Sequence, residues 1–180
     1  MVTRLCELAE KFSTDKRPAG HNYTPFYNFL FEDLKPKTVL EIGVANGASL
    51  KMWEEYFPEA NIFGADIDTG SQLNCGRIKT MICNQGVESD LVKLYEMTGP
   101  VDIVIEDASH KSQDQIFTAI IFSRYLTDGG YYIIEDVQES ARFEVFKVIQ
   151  DALYPKFQVS QTEMKNGSGD DSRLVVIRKK

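Results

Sequence analysis

Two acidic runs carry the first chemical signal in this sequence. Glu106-Asp107-Ala108-Ser109-His110 and Glu135-Asp136-Val137-Gln138-Glu139 each follow directly on an apolar stretch. The interval between Asp107 and Asp136 has room for one crossover helix and a return strand, so neighbouring parallel strands would bring both carboxylates to one sheet edge. Like charges held together there repel unless a proton or a cation lies between them. Hard oxygen ligands suit a divalent ion such as magnesium, which makes Asp107 and Asp136 candidate metal ligands. His110 would stand beside them in the same loop, and histidine is the side chain suited to accepting a proton near neutral pH. His110 and Asp107 are therefore the candidate catalytic pair. The competing reading makes both aspartates helix N-caps and His110 a surface residue.

A second signal is Glu41-Ile42-Gly43-Val44-Ala45-Asn46-Gly47, which closes an apolar run and opens a helical segment. Glycines there let the backbone approach a ligand closely. The run is not the G-x-G-x-x-G fingerprint of dinucleotide sites, because Ala45 takes the middle glycine position. Glu41 would also repel phosphate oxygens and instead suits a cationic or amino-bearing ligand. S-adenosylmethionine carries both a sulfonium and an amine. Asp66, at the end of the next strand, can accept hydrogen bonds from both ribose hydroxyls of an adenosine and is preferred to Asp68. Asn84 or Gln85 could offer an amide to adenine. Taken singly, Glu41 reads as readily as a loop carboxylate and Asp66 as a turn residue; flanking one glycine loop, they favour cofactor binding.

Strand-length apolar runs alternate with helical periods, the pattern of an α/β doubly wound, mostly parallel sheet. Strands are predicted at Thr38–Ile42, Asn61–Asp66, Lys79–Cys83, Val101–Glu106 and Tyr131–Glu135, with Asp128, Gly129 and Gly130 leading into the last. Helices are predicted at Ala48–Phe57, Ser89–Met97, Ser112–Tyr125 and Arg142–Leu153. Two closing strands, Phe157–Met164 and Leu174–Arg178, form a C-terminal antiparallel hairpin and complete a seven-stranded sheet. The run Asn166 to Asp171 reads as its loop rather than as a metal site. Helices at Arg4–Phe12 and Pro25–Leu34 come first, and the polar connector with Thr14, Asp15, Lys16 and His21 reads as a lid. One domain is expected, with residues 1–35 as helices and lid and 36–180 as the α/β core.

Bulk properties narrow the partners. At 180 residues and 43% hydrophobic, the chain can bury one sizeable core. A net charge of -7 disfavours nucleic acid as a partner. Three cysteines without a C-x-x-C pair suggest neither a disulfide framework nor a zinc site. No apolar run reaches membrane-span length, so the expectation is a cytoplasmic protein with no membrane partner.

In combination, Ser13-Thr14-Asp15-Lys16, His21-Asn22-Tyr23, Leu40-Glu41-Ile42-Gly43-Val44, Gly64-Ala65-Asp66-Ile67-Asp68, Glu106-Asp107-Ala108-Ser109-His110 and Ile134-Glu135-Asp136 resemble the metal-dependent class I sugar O-methyltransferases of natural-product deoxysugars. The mycinamicin, macrocin and rhamnosyl O-methyltransferases are of this kind. The resemblance implies that Asp107 is a metal ligand, His110 the proton acceptor and Asp136 a second ligand, with Glu135, Glu106 or Glu139 as alternatives for a third. Ala108 and Glu106 depart from the family's usual glycine and aspartate. The implied cofactors are S-adenosylmethionine, contacted by Glu41, Gly43, Gly47, Asp66, Gln85, Asp107 and Tyr23, and a divalent metal such as Mg2+. The implied acceptor is a sugar or glycoside, rhamnose being the leading 6-deoxyhexose. Tyr23 and Tyr27, with His21, would close over cofactor or sugar, or else pack at the helix entry. A homo-oligomer or a fusion with glycosyltransferase domains is compatible with the resemblance. The rival readings are a catechol or phenol O-methyltransferase and a catalytically silent cofactor-binding domain that serves a glycosyltransferase partner.

Overall fold

Residues rich in β-branched and aromatic side chains form one seven-stranded sheet in this computed structural model, which describes residues 2–165 and 171–180. Its strands are β1 (Thr38–Ile42), β2 (Asn61–Asp66), β3 (Ile78–Ile82), β4 (Val101–Glu106), β5 (Leu126–Ile134), β6 (Phe157–Glu163) and β7 (Arg173–Lys179), in the order 3-2-1-4-5-7-6. The first five run parallel, and β7 lies antiparallel between β5 and β6. The fold class and the terminal hairpin match the sequence expectation.

Alternation along each strand sends successive side chains to opposite faces. Val39, Ile103, Ile105 and Ile133 join the core under α1 (Arg4–Phe12), α2 (Thr24–Phe31) and α3 (Ala48–Tyr56). Leu40, Ile42, Val104 and Ile134 join the core under α4 (Glu88–Thr98), α5 (Ser112–Phe122) and α6 (Arg142–Leu153). The same parity separates the acids beyond the strand ends. Glu41, Asp107 and Glu135 follow the register of the first face, whereas Glu106 follows that of the second.

Several boundaries differ from expectation. β5 begins at Leu126, before the Asp128-Gly129-Gly130 run rather than after it, and its pairing with β4 shifts register between Val101 and Ile103. Glycine permits this close passage, because a Cβ at Gly130 would lie 2.9 Å from the carbonyl oxygens of Asp102 and Thr127. β3 starts and stops one residue early, α2 ends at Phe31, and the segment Ser112–Tyr125 divides into α5 and a 3-10 turn at Ser123–Tyr125. The expected loop Asn166–Asp171 lies outside the described residues except for Asp171.

Candidate active site

Strand order reverses between β1 and β4, and open parallel sheets form ligand crevices outside the strand ends at such a reversal. A cavity of about 750 Å³ opens there. Its walls come from the connector after α1, the glycine loop, and the ends of β2, β3, β4 and β5. Ser13, Ala45, His110 and Asp136 line it with positive φ angles of 57°, 48°, 55° and 52°. Non-glycine residues rarely hold this conformation, and it clusters where function fixes a backbone.

Backbone amides organise the glycine-loop half. Gly43 has φ +98°, and a Cβ there would lie 2.0 Å from the carbonyl oxygen of Asp107, so glycine lets the two loops meet. Asp66 accepts hydrogen bonds through Oδ2 from the N–H groups of Val44 (2.7 Å) and Ala45 (3.0 Å), and through Oδ1 from that of Asp68 (2.8 Å). Partial burial opposes its charge, but these donors prevail and hold the carboxyl below its ordinary range. Gln85 is buried and donates to Ser109 Oγ at 3.3 Å, tying the β3 end to the loop after β4. Gly47 starts α3 at φ +75°, between Asn46 and Ala48, which line the cavity.

Side chains organise the other half. Lys16, 1% exposed, places Nζ 2.5 Å from Asp107 Oδ2, 2.7 Å from Glu135 Oε2 and 3.3 Å from Glu41 Oε1. Tyr27 donates to Glu135 Oε1 and Tyr23 to Asp136 Oδ1, each at 2.5 Å, while Trp53 Nε1 donates to Glu41 Oε2 at 3.0 Å. Burial works against the Lys16 charge, yet Asp107, Glu135 and Glu41 together outweigh it and keep the ammonium protonated. Burial raises Glu41, Glu135 and Asp136 above the ordinary carboxyl range; Lys16 opposes the rise at the first two, and the Tyr23 hydroxyl opposes it at Asp136. Both tyrosine hydroxyls are pushed upward, first by burial and then by neighbouring carboxylates, and so remain donors.

Asp107, His110 and Asp136 each offer a ligand atom within 4.8 Å of the others, and His110 Nε2 lies 3.9 Å from Asp107 Oδ1. Four acidic side chains cluster around one ammonium, an excess of potential negative charge. Divalent-cation binding would offset that excess, so these residues fit such an ion. His21 Nδ1 is 3.3 Å from Asp136 Oδ1 and 3.8 Å from Asp171 Oδ1, which joins the connector to the β7 side of the hairpin.

The candidate metal ligands and base from the sequence thus lie together, with Glu41, Gly43, Asp66 and Gln85 around the same cavity. Tyr23, expected at the cofactor, has its side chain fully buried outside the cavity lining, and its hydroxyl donates to Asp136. The connector, read from the sequence as a lid, supplies part of the cavity wall. Thr14 and Lys16 are buried in the cavity wall, because the ammonium must reach its carboxylates. Lys16 and Trp53 escaped sequence reasoning as donors. The only trace of Lys16 was its place in Ser13-Thr14-Asp15-Lys16.

No family model matches the chain. It is 37% identical over 142 residues to 8-demethyl-8-(2-methoxy-alpha-L-rhamnosyl)-tetracenomycin-C 3'-O-methyltransferase of Streptomyces olivaceus, covering 74% of this chain and 36% of that protein. It is 35% identical over 148 residues to the 8-demethyl-8-alpha-L-rhamnosyl tetracenomycin-C 2'-O-methyltransferase of the same organism, covering 77% and 39%. The MycE methyltransferase from the mycinamycin biosynthetic pathway, solved in complex with Mg and SAH, matches with a TM-score of 0.80 and 27% identity, covering 99% of this chain and 55% of MycE. The matched residues thus span 36% and 39% of these two curated relatives and 55% of MycE. The chain has the class I methyltransferase fold and, over the matched residues, is a homologue of the sugar O-methyltransferases.

Proposed function

We propose that the chain is an S-adenosylmethionine-dependent O-methyltransferase acting on a hydroxyl of a 6-deoxyhexose such as rhamnose, carried by a glycan or a glycosylated small molecule. The observation that carries this reading is the convergence of Asp107, His110 and Asp136 on the cavity that the glycine loop opens. The rhamnosyl O-methyltransferase relatives and the Mg- and SAH-bound MycE support it.

In this reading the Gly43–Gly47 loop and Glu41 receive the methionine part of the cofactor, Asp66 its ribose and Gln85 its adenine side. Asp107 and Asp136 hold a divalent cation, which when bound lowers the pKa of a coordinated hydroxyl. His110 stands beside Asp107 and accepts the acceptor's proton at Nε2. The displacement would require the cavity to present the nucleophilic oxygen opposite the departing sulfur. The reading keeps a glycoside as the acceptor and the cytoplasm as the location; the three free cysteines fit a reducing compartment. Among the described residues, no helix is long and apolar enough to cross a membrane.

Calorimetric titration with S-adenosylhomocysteine, with and without Mg2+, followed by methyl-transfer assays on rhamnosides and catechols, tests the reading. Cofactor binding and Mg2+-stimulated methylation of rhamnosides are expected. Absence of cofactor binding would overturn the assignment, and turnover on catechols alone would overturn the sugar acceptor.

A further inference from the structure

Asp136 owes its direction to a slip in the sheet. β5 and β7 pair antiparallel as far as Ile134 opposite Val175, and the same register would set Asp136 opposite Arg173. The carbonyl of Arg173 instead accepts the N–H of the next residue, Val137, at 3.2 Å. Asp136 is therefore the extra residue of a bulge. Its φ is 52°, and its own N–H turns to the Tyr23 hydroxyl at 3.4 Å. Such a bulge re-aims a side chain, and a non-glycine residue keeps a positive φ only where its surroundings hold it.

The Arg173 side chain supplies part of that hold. A second cavity, of about 210 Å³, adjoins the bulge, and its lining includes Val137, Gln161 and Arg173. Close packing alone therefore does not fix the loop on this side. The Arg173 side chain, 13% exposed, places Nη2 2.7 Å from Glu139 Oε2 in the loop and 3.1 Å from Glu163 Oε1 on β6. Arg142, at the start of α6, meets the same Glu139 oxygen at 3.2 Å. One planar cation thus ties the loop that follows Asp136 to the neighbouring strand, a geometry that a single flexible ammonium reproduces poorly.

We propose that Arg173 is a positioning residue for the cation site: it pins the bulge and so keeps the Asp136 carboxylate turned toward Asp107 and His110. The inference rests on the reading that a divalent cation binds at these residues.

The test is calorimetric titration of Mg2+ into the full chain saturated with S-adenosylhomocysteine. Amide hydrogen exchange over residues 135–141, between β5 and α6, is a second readout that needs no ion. Arg173→Met is expected to weaken Mg2+ about tenfold, as loss of outer supports of a metal ligand does, and to speed exchange over the loop, with S-adenosylhomocysteine affinity within about twofold of wild type. Arg173→Lys is expected to recover part of the loss, to within about threefold of wild type. Glu139→Gln, at an exposed position, is expected to weaken Mg2+ about threefold, and the double variant no more than Arg173→Met alone. Wild-type Mg2+ affinity in a folded Arg173→Met protein would overturn the role, and so would additive losses in the double variant. If circular dichroism shows that Arg173→Met does not fold, wild-type Mg2+ affinity in both Arg173→Lys and Glu139→Gln overturns it equally. Absence of Mg2+ uptake by the wild type would sink the cation reading; faster loop exchange in Arg173→Met would then still uphold the brace on Asp136, and unchanged exchange would overturn both.

Discussion

The two halves of the cavity satisfy their acids by different means. On the glycine-loop side, Asp66 is held by backbone N–H groups that lie 2, 21 and 22 residues away in the chain. On the cation side, Glu135, Asp136 and Asp107 are held by side chains of the N-terminal connector and α2, separated from them by 91 to 119 residues. The charges differ accordingly. Backbone amides, fixed in direction at little entropic cost, lower the Asp66 carboxyl. The buried cluster leaves Glu135 and Asp136 raised despite Lys16 and the tyrosines. A carboxylate anchored by its own loop stays ready for a neutral hydroxyl, whereas one crowded in a buried cluster is poised for an added cation.

If the halves are energetically distinct, the largest effect should come from the cation side and leave the cofactor side nearly untouched. Asp136→Asn should abolish Mg2+-stimulated turnover while S-adenosylhomocysteine binding by calorimetry stays close to wild type. Retained Mg2+ stimulation would remove Asp136 from the site, and a parallel loss of cofactor affinity would show that the halves are not separable. His110→Ala should lower turnover by roughly two to four orders of magnitude, the usual range for loss of a general base, with both ligands still bound. A fall of less than about tenfold would assign the proton to another acceptor such as His21.

Glu106 extends the comparison, because neither kind of donor holds it in hydrogen-bond geometry. Both oxygens are buried without a partner in hydrogen-bond geometry. Burial pushes its carboxyl up to about 8, with Gln85 and the Ala108 N–H easing only part of that cost. The native state therefore keeps a proton that the unfolded chain releases near the ordinary glutamate range. The associated stability is fully present below that range and is lost as pH rises toward 8. Chemical denaturation across this window should show stability falling with pH in the wild type, and a visibly flatter profile in Glu106→Gln. Equal slopes would mean that Glu106 is ionised in the native fold.

The same contrast explains how much of the molecule was legible in the sequence. Strand alternation, glycine placement and acids at strand ends are local patterns, so the doubly wound sheet, the glycine loop and the pair Asp107 and Asp136 could be read directly. Lys16 could not, because nothing local to Thr14-Asp15-Lys16 says that its ammonium reaches acids more than 90 residues away. Tyr23 was open to two readings, cover or packing, for the same reason. A tyrosine near a ligand site reads as a cover, and only tertiary packing shows a hydroxyl bracing an aspartate from behind. The early start of β5 was hidden because Gly129 and Gly130, ordinarily turn residues, lie within a strand, the first at a positive φ and the second where another backbone passes close by.

The smallest effect should come from Asp66→Asn. The side chain keeps its size but loses its charge and one acceptor oxygen, so one or two of its three backbone N–H partners lose their hydrogen bond. Ala45 and Asp68 are exposed, so water can replace a partner lost there, while Val44 is buried, and the expected cost is about 1 kcal/mol of stability. Cofactor binding should weaken more visibly, because a carboxylate that accepts ribose hydroxyls loses a charge-assisted bond; a drop of about tenfold in S-adenosylhomocysteine affinity is expected. Mg2+ affinity should stay within about twofold, since no side-chain contact of Asp66 reaches the Lys16 cluster among the described residues. Calorimetry on the single variant reads both ligands. Equal weakening of Mg2+ and cofactor would show that the backbone-held and side-chain-held halves act as one unit through the contact of Gly43 with Asp107.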